Sequence, residues 1–159
     1  MIDIDGIKGI DTPFYLYDIE LLRRTLQKVC DNASRYGFFV HYALKANFDP
    51  RILQEVKSFG LGTDCVSGGE VRASVEAGFD PAGIVFAGVG KRDDEIEYAL
   101  EKGILAFNCE SLEELEVIDG IAGRTGRRAR VALRINPDVD PQTHKNISTG
   151  HADSKFGIA

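Results

Sequence analysis

A single lysine ends an apolar run: Phe38-Phe39-Val40-His41-Tyr42-Ala43-Leu44-Lys45, followed by Ala46-Asn47 and then by Asp49-Pro50. Lysine is seldom placed on a buried strand, because taking its charge out of water is costly. Desolvation makes an amine less basic and more nucleophilic, which is what attack on an aldehyde to form a Schiff base requires. The pattern marks Lys45 as a candidate nucleophilic amine. The alternative is a strand-end lysine whose stem lies on apolar surface while its head reaches water.

Other polar side chains follow apolar runs in the same way. Asp64 and Ser67 follow the second run, and Lys91 follows the third through Gly88-Val89-Gly90. Asn108 and Glu110 follow the fourth, and Arg134 and Asn136 end the fifth. In parallel α/β folds the carboxyl ends of the strands form the active-site face. The repeated placement of short, small or polar residues at these junctions predicts one shared site there.

The elements that must position them alternate between strand and helix. Asp18 caps a helix carrying Leu22, Leu26, Val29 and Ala33 at three- and four-residue spacing. The strand ending at Lys45 follows. Asp49-Pro50 then opens a helix with Ile52, Leu53 and Val56 that stops near Gly60. A strand over 62–66 leads through Ser67-Gly68-Gly69 into a helix that ends at Gly78. Strands over 84–87, 104–107 and 130–135 are separated by a helix from Asp93 to Gly103 and by one opened by Ser111-Leu112-Glu113-Glu114. The latter fits a capping box, with Leu112, Leu115 and Ile118 as its buried face. Five βα units are predicted, with strands ending near residues 45, 65, 87, 107 and 135. The strands look uniformly apolar, as in a parallel sheet covered on both faces. That leaves two architectures, a doubly wound sheet or a (β/α)8 barrel. No low-complexity linker divides the chain.

Several motifs are set aside. Gly60-Leu61-Gly62 lacks the third glycine of a dinucleotide fingerprint. Gly88-Val89-Gly90-Lys91 resembles part of a P-loop, but Val85 stands where the first glycine belongs and Arg92 where Ser or Thr belongs. His144, His151 and Asp153 match no metal-ligand spacing, so no metal is expected. His41 reads as a satisfied core histidine. Ser67 near Asp64 lacks the positioned His of a triad. Gly68-Gly69-Glu70 could hold an anion on free N–H groups. It reads better as a tight strand-to-helix turn with Glu70 favourable in the first turn of the helix.

Composition narrows the class. The chain has 159 residues, 43% hydrophobic and 28% charged, enough for one domain with a core. A net charge of −6 disfavours a nucleic-acid surface. The basic stretch from Arg124 to Arg130 has no aromatic residue and reads as a solvated loop. No apolar run is long enough for a membrane span. Cys30, Cys65 and Cys109 form no CxxC pair and no disulfide framework, which fits the cytoplasm.

Taken together, the motifs resemble a known family. Tyr42-Ala43-Leu44-Lys45-Ala46-Asn47 is similar to the cofactor-lysine motif of the fold-type III pyridoxal-phosphate decarboxylases. The second-strand signature is matched by the run from Gly62 through Asp64, Ser67 and Gly68 to Glu70. Asn108-Cys109-Glu110-Ser111, Leu133-Arg134-Ile135-Asn136-Pro137, the stretch from His144 to Gly150 and Lys155-Phe156-Gly157-Ile158 follow in order. Within that family the resemblance is strongest to the diaminopimelate decarboxylases, with ornithine- and arginine-type enzymes more distant.

The resemblance implies an alanine-racemase-like (β/α)8 TIM-type barrel, of which this chain would be the N-terminal part. It implies a C-terminal β domain beyond it and a homodimer at full length. Lys45 would bind pyridoxal 5'-phosphate covalently, with Asp64, Glu70 and Arg134 on the cofactor side. His144, Ser148 and Thr149 would lie on the substrate side, in a loop near the mouth. The implied reaction is meso-2,6-diaminopimelate to L-lysine and CO2. Alternatives are a decarboxylase of another basic amino acid or of a carboxylated polyamine, and a non-catalytic barrel that binds the cofactor or a partner chain. A (β/α)8 barrel needs about 250 residues. The resemblance therefore also implies later motifs, and the 159-residue piece is expected to be inactive alone.

Overall fold

The computed structural model describes residues 5–139 and 156–158. It divides into two compact units, one up to Phe38 and one from Phe39. The first holds α1 (Ile19–Arg35), with Leu26 as its buried residue. Its N-cap is Asp18, whose carboxylate accepts from the Leu21 N–H at 2.8 Å.

The second unit is built of β1 (His41–Ala43), α2 (Pro50–Ser58), β2 (Gly62–Cys65), α3 (Gly68–Glu76) and β3 (Ile84–Phe86). It continues with α4 (Asp93–Lys102), β4 (Ala106–Cys109), α5 (Leu112–Thr125) and β5 (Val131–Leu133). All five strands are parallel and lie in the order β1-β2-β3-β4-β5. A doubly wound sheet reverses its strand order at a switch point. Here each strand is added on the same side of the last. Right-handed crossovers then put every helix on one face, which is the winding of a (β/α)8 barrel. Past β5, Ile135 and Ile158 form a parallel bridge, so residues 156–158 take the next place in the same sequence.

The register sorts the strand residues by size. His41 pairs with Gly62, Ala43 with Asp64, Asp64 with Val85, Val85 with Ala106 and Asn108 with Ala132. These residues share one face, since side chains alternate along a strand. The other face carries Thr63, Cys65, Ile84, Phe86, Phe107 and Cys109, all at most 1% exposed. They pack under the helices with Leu53, Val56, Val71, Ile96, Ala99, Ile118 and Ile121. Burying each large side chain stabilises the fold by about 1.5–3 kcal/mol. The uniformly apolar strands expected from sequence are therefore strands that alternate in size. Large residues face the helices, and small or polar ones face the inside of the barrel curve.

Two details of the sequence reading change. Leu112 is 57% exposed; Ile118 of the expected face is buried, and Ile121 and Ala122 complete the buried face of α5. Phe38 and Phe39 are exposed, and β1 is only three residues long. Gly62 is demanded by close approach: a Cβ there would stand 2.4 Å from the Gly83 carbonyl oxygen and 2.6 Å from the His41 ring.

Candidate active site

The inner face and the carboxyl ends of the strands bound an open cleft of about 370 Å³. It is lined by Asp64, Ala87, Asn108, Glu110, Ala132, Leu133 and Arg134. Alanines and Gly62 on the inner face keep the floor low, and polar groups stand at the rim. That combination suits a small ligand with polar substituents.

Lys45 lies in a single 3-10 turn, Leu44–Ala46, directly after β1. Leu44 is fully buried and anchors the turn, while Lys45 itself is exposed. This corrects the expectation of a buried amine. The apolar run ends one residue earlier, and the 3-10 turn lifts Lys45 out of the strand. The Tyr42 hydroxyl donates to the Asn47 carbonyl at 3.0 Å and ties the end of the turn back to β1.

Asp64 stands on β2, opposite Ala43. Burial pushes its carboxyl above the usual range, and the positive charges of Lys45, His41 and Arg134 work against that rise. Its Oδ1 is buried with no hydrogen-bond partner among the described residues. Leaving such an acceptor unmet costs about 1–3 kcal/mol. His41, below it on the same face, also has a buried Nε2 without a partner, so it is not the satisfied core histidine expected. Burial holds its pKa down, with Asp64 opposing. The Phe39 ring meets His41 edge-on at 4.9 Å between centroids.

Arg134 follows β5. Its Nη1 donates to Glu110 Oε1 at 3.3 Å, and its guanidinium lies 4.9 Å from the centroid of the Phe156 ring. The Glu110 side chain is 3% exposed, and its Oε2 accepts from the Gly157 N–H at 3.0 Å. Gly157 has φ +81°, and a Cβ there would come within 3.2 Å of the Arg134 carbonyl oxygen, so this crossing point requires glycine.

Of the residues expected to surround a cofactor, Asp64 and Arg134 line the cleft, and Lys45 is close enough to influence the Asp64 charge. Glu70 is not part of that lining. Its Oε2 accepts from the Val66 N–H at 2.7 Å, and its own N–H donates to Ser67 Oγ at 3.2 Å. It caps α3. His144, Ser148 and Thr149 lie outside the described residues.

Sequence reasoning missed the ring of glutamates that fixes this rim. Each sits three residues after its helix N-cap. Glu114 Oε2 accepts from the Glu110 N–H at 2.9 Å, as Glu70 does from Val66. Glu95 Oε2 accepts from the Arg92 N–H at 3.0 Å, and its Oε1 accepts from the Gly68 N–H at the start of α3 at 2.9 Å. Glu114 Oε1 takes Lys91, whose side chain is only 1% exposed. Lys91 Nζ also donates to the Gly88 and Asn108 carbonyls at 2.8 and 2.9 Å. Its three donors meet three acceptors, so it is a structural cation and not a phosphate-binding one. Ser-x-x-Glu at 67–70 repeats the capping pattern recognised at 111–114, and that repeat was the signal available.

The described helices include none long and apolar enough to cross a membrane. Comparison with known proteins places this architecture. The profile of the family described as pyridoxal-dependent decarboxylase, pyridoxal binding domain, matches residues 20–159. Diaminopimelate decarboxylase of Bacteroides thetaiotaomicron is 52% identical over 157 residues, 98% of this chain and 41% of that protein. The Zymomonas mobilis enzyme of the same name is 50% identical over 93% of this chain and 36% of its own length. A crystal structure of a mutant diaminopimelate decarboxylase from Helicobacter pylori, complexed with L-lysine, superposes with a TM-score of 0.88. It is 42% identical, over 96% of this chain and 39% of that one. The M. jannaschii enzyme in co-complex with L-lysine gives 0.86 at 36% identity, over 98% and 37%. The chain thus spans about two fifths or less of the relatives it matches. With its barrel winding, its lysine after the first strand and this match over residues 20–159, the chain belongs to the pyridoxal-dependent decarboxylases, in their pyridoxal-binding domain.

Proposed function

We propose that the whole protein is a pyridoxal-phosphate-dependent carboxy-lyase that converts meso-2,6-diaminopimelate to L-lysine and CO2, works in the cytoplasm and acts as a homodimer. The observation that supports the reading is a cleft lined by Asp64 and Arg134, with Lys45 near enough to act on the Asp64 charge, in a chain 52% identical to a diaminopimelate decarboxylase.

The residues present fit pyridoxal phosphate. An exposed primary amine at the end of β1 suits an aldehyde. A buried carboxylate oxygen without a partner is an acceptor for a polar group of the ligand. The low floor leaves room for a flat ring. Bound pyridoxal phosphate supplies the electron sink for the pair left behind when a carboxylate leaves as CO2. Lys45 holds the ligand at the rim, and Asp64 and Arg134 orient groups around it. Binding over the cleft displaces water from the Asp64 side chain and strengthens its interaction with the neighbouring cations.

The test is borohydride trapping on the whole protein, followed by peptide mapping and by CO2 release from diaminopimelate, lysine, ornithine and arginine. Stoichiometric label on Lys45 and turnover of diaminopimelate alone are expected. Label scattered over surface lysines refutes the site. Label on Lys45 with turnover of another substrate keeps the cofactor and corrects the substrate.

A further inference from the structure

We propose that Glu110 is a positioning residue that aims the Arg134 guanidinium into the cleft and locks it to the strand position at 156–158. Three bonds converge on it. Its N–H is held by Glu114, which Lys91 pins in turn. Its two carboxylate oxygens are divided between the ends of two neighbouring strand positions, Arg134 Nη1 on one and the Gly157 N–H on the other. Both partners are donors. Only a group with an acceptor on each arm satisfies both, and an ionised carboxylate is that group. A glutamine of the same shape would turn one amide N–H toward a donor.

The geometry leaves Glu110 little freedom and Arg134 much. Glu110 is 3% exposed at its side chain, against 41% for Arg134. An exposed arginine samples many rotamers unless something fixes it. Glu110 and the Phe156 ring both contact the guanidinium and restrict it. Arg134 has five N–H donors, and among the described residues Glu110 engages one of its nitrogens, which leaves the rest of the fork beside the cleft that Arg134 lines. The same contact joins the cleft to strand pairing. The Ile158 N–H donates to the Arg134 carbonyl at 2.7 Å, and the Asn136 N–H to the Ile158 carbonyl at 2.7 Å. Glu110 therefore reads whether the strand position after β5 is filled and sets Arg134 accordingly.

The inference rests on the reading that Arg134 is on the cofactor side. The test uses the whole protein and measures pyridoxal-phosphate affinity from the absorbance of the lysine-bound cofactor, for Glu110→Gln, Arg134→Met and the double variant. Loss of one hydrogen bond to a charged group corresponds to about a 10- to 100-fold change in affinity. Glu110→Gln is expected to weaken binding by that factor. In the Arg134→Met background it is expected to add less than about twofold, because its effect passes through the arginine. Equal effects in both backgrounds, or none in either, overturn the proposal while leaving the cofactor reading intact. An Arg134→Met variant that binds as the unaltered protein does removes its basis. A wild-type protein with no spectral titration refutes the function itself. Glu110→Asp keeps the charge on a shorter arm and is expected to fall between the two. If both Glu110 variants fail to fold, Glu110 is a structural staple and the proposal is wrong.

Discussion

Replacing Lys91 by methionine tests how the rim is held together. The ammonium is 1% exposed and donates to the Gly88 carbonyl, the Asn108 carbonyl and Glu114 Oε1. Methionine keeps most of the stem and its packing on the Phe86 ring, whose centroid lies 5.4 Å from Nζ. What is lost is the charge, and Glu114 is left 13% exposed without its counter-ion. Removing one partner of a buried ion pair costs about 3–5 kcal/mol. The Gly88 carbonyl adds less than its full desolvation, because the adjoining Val89 and Gly90 are exposed. The expected loss for Lys91→Met is therefore about 3–5 kcal/mol. Glu114→Gln alone strands the ammonium, but it keeps an acceptor for the Glu110 N–H. The double variant leaves no orphaned charge, so its cost should fall short of the sum of the two singles by about 2 kcal/mol. Urea unfolding of the cofactor-free whole protein, followed by far-UV circular dichroism, measures all three. A Lys91→Met cost under about 1 kcal/mol, or strict additivity, would refute the view of Lys91 and Glu114 as a buried clamp.

Three further outcomes follow from the inner and outer faces. Gly62→Ala places a Cβ 2.4 Å from the Gly83 carbonyl oxygen, a backbone atom that cannot swing aside, and should lower stability by about 1–3 kcal/mol in the same urea assay. An unchanged midpoint would mean that β2 and β3 shift freely. Burial holds the pKa of His41 below 6.5, so the unfolded chain binds the proton first as pH falls. Stability should therefore be full above pH 6.5 and drop below it towards the depressed folded value, a slope that His41→Gln removes. Asp64 acts oppositely: its pKa is raised above 3.8, so its contribution is full below that value and is lost as pH rises through the folded one. Asp64→Asn should abolish that component, and melts across pH 4–8 on both variants separate the two. Burial pushes the Cys65 thiol up to about 11 and raises Cys109 as well, and both are buried. A thiol reagent at pH 8, mapped by mass spectrometry, should leave both unlabelled until the protein is unfolded.

The order of the elements was legible because each leaves a local mark. Asp49-Pro50 starts α2 and Ser111 caps α5 where expected, since a cap is written in two or three adjacent residues. The element pattern alone did not choose between barrel and doubly wound sheet, because strand order depends on where crossovers land and not on any one segment. The resemblance of the motifs supplied the barrel, and the strand order bears it out. Lys45, Asp64 and Arg134 stand out in the sequence by their places after apolar runs. The cap that Glu70 provides was not legible, because a glutamate at that position serves a helix cap and a ligand equally well until its bond to the Val66 N–H is seen. Strand alternation was missed for a similar reason. Ala43, Val85, Ala106 and Ala132 are apolar like Phe86 and Phe107, so hydropathy hides a difference of volume. Lys91 was discounted as a phosphate-loop remnant, since none of its acceptors lies within two residues of it in the chain.

The glutamate ring explains how a site made of short loops holds its shape. Loops have few buried contacts and open easily. Here each of three glutamates gives one oxygen to a backbone N–H at the start of its own helix. The second oxygen of Glu95 reaches the first residue of α3, and that of Glu114 reaches Lys91 in the loop before α4. These bonds tie α3 to α4 and the loop before α4 to α5. Glu110 extends the same logic on the inner side, from β4 to Arg134 and Gly157. A displacement in one loop is then opposed by its neighbours through charge-assisted bonds. Such bonds are stronger than neutral ones and are little screened where they are buried. The side chains facing the cleft inherit that rigidity from glutamates that lie outside its lining, with Glu110 as the member that belongs to both.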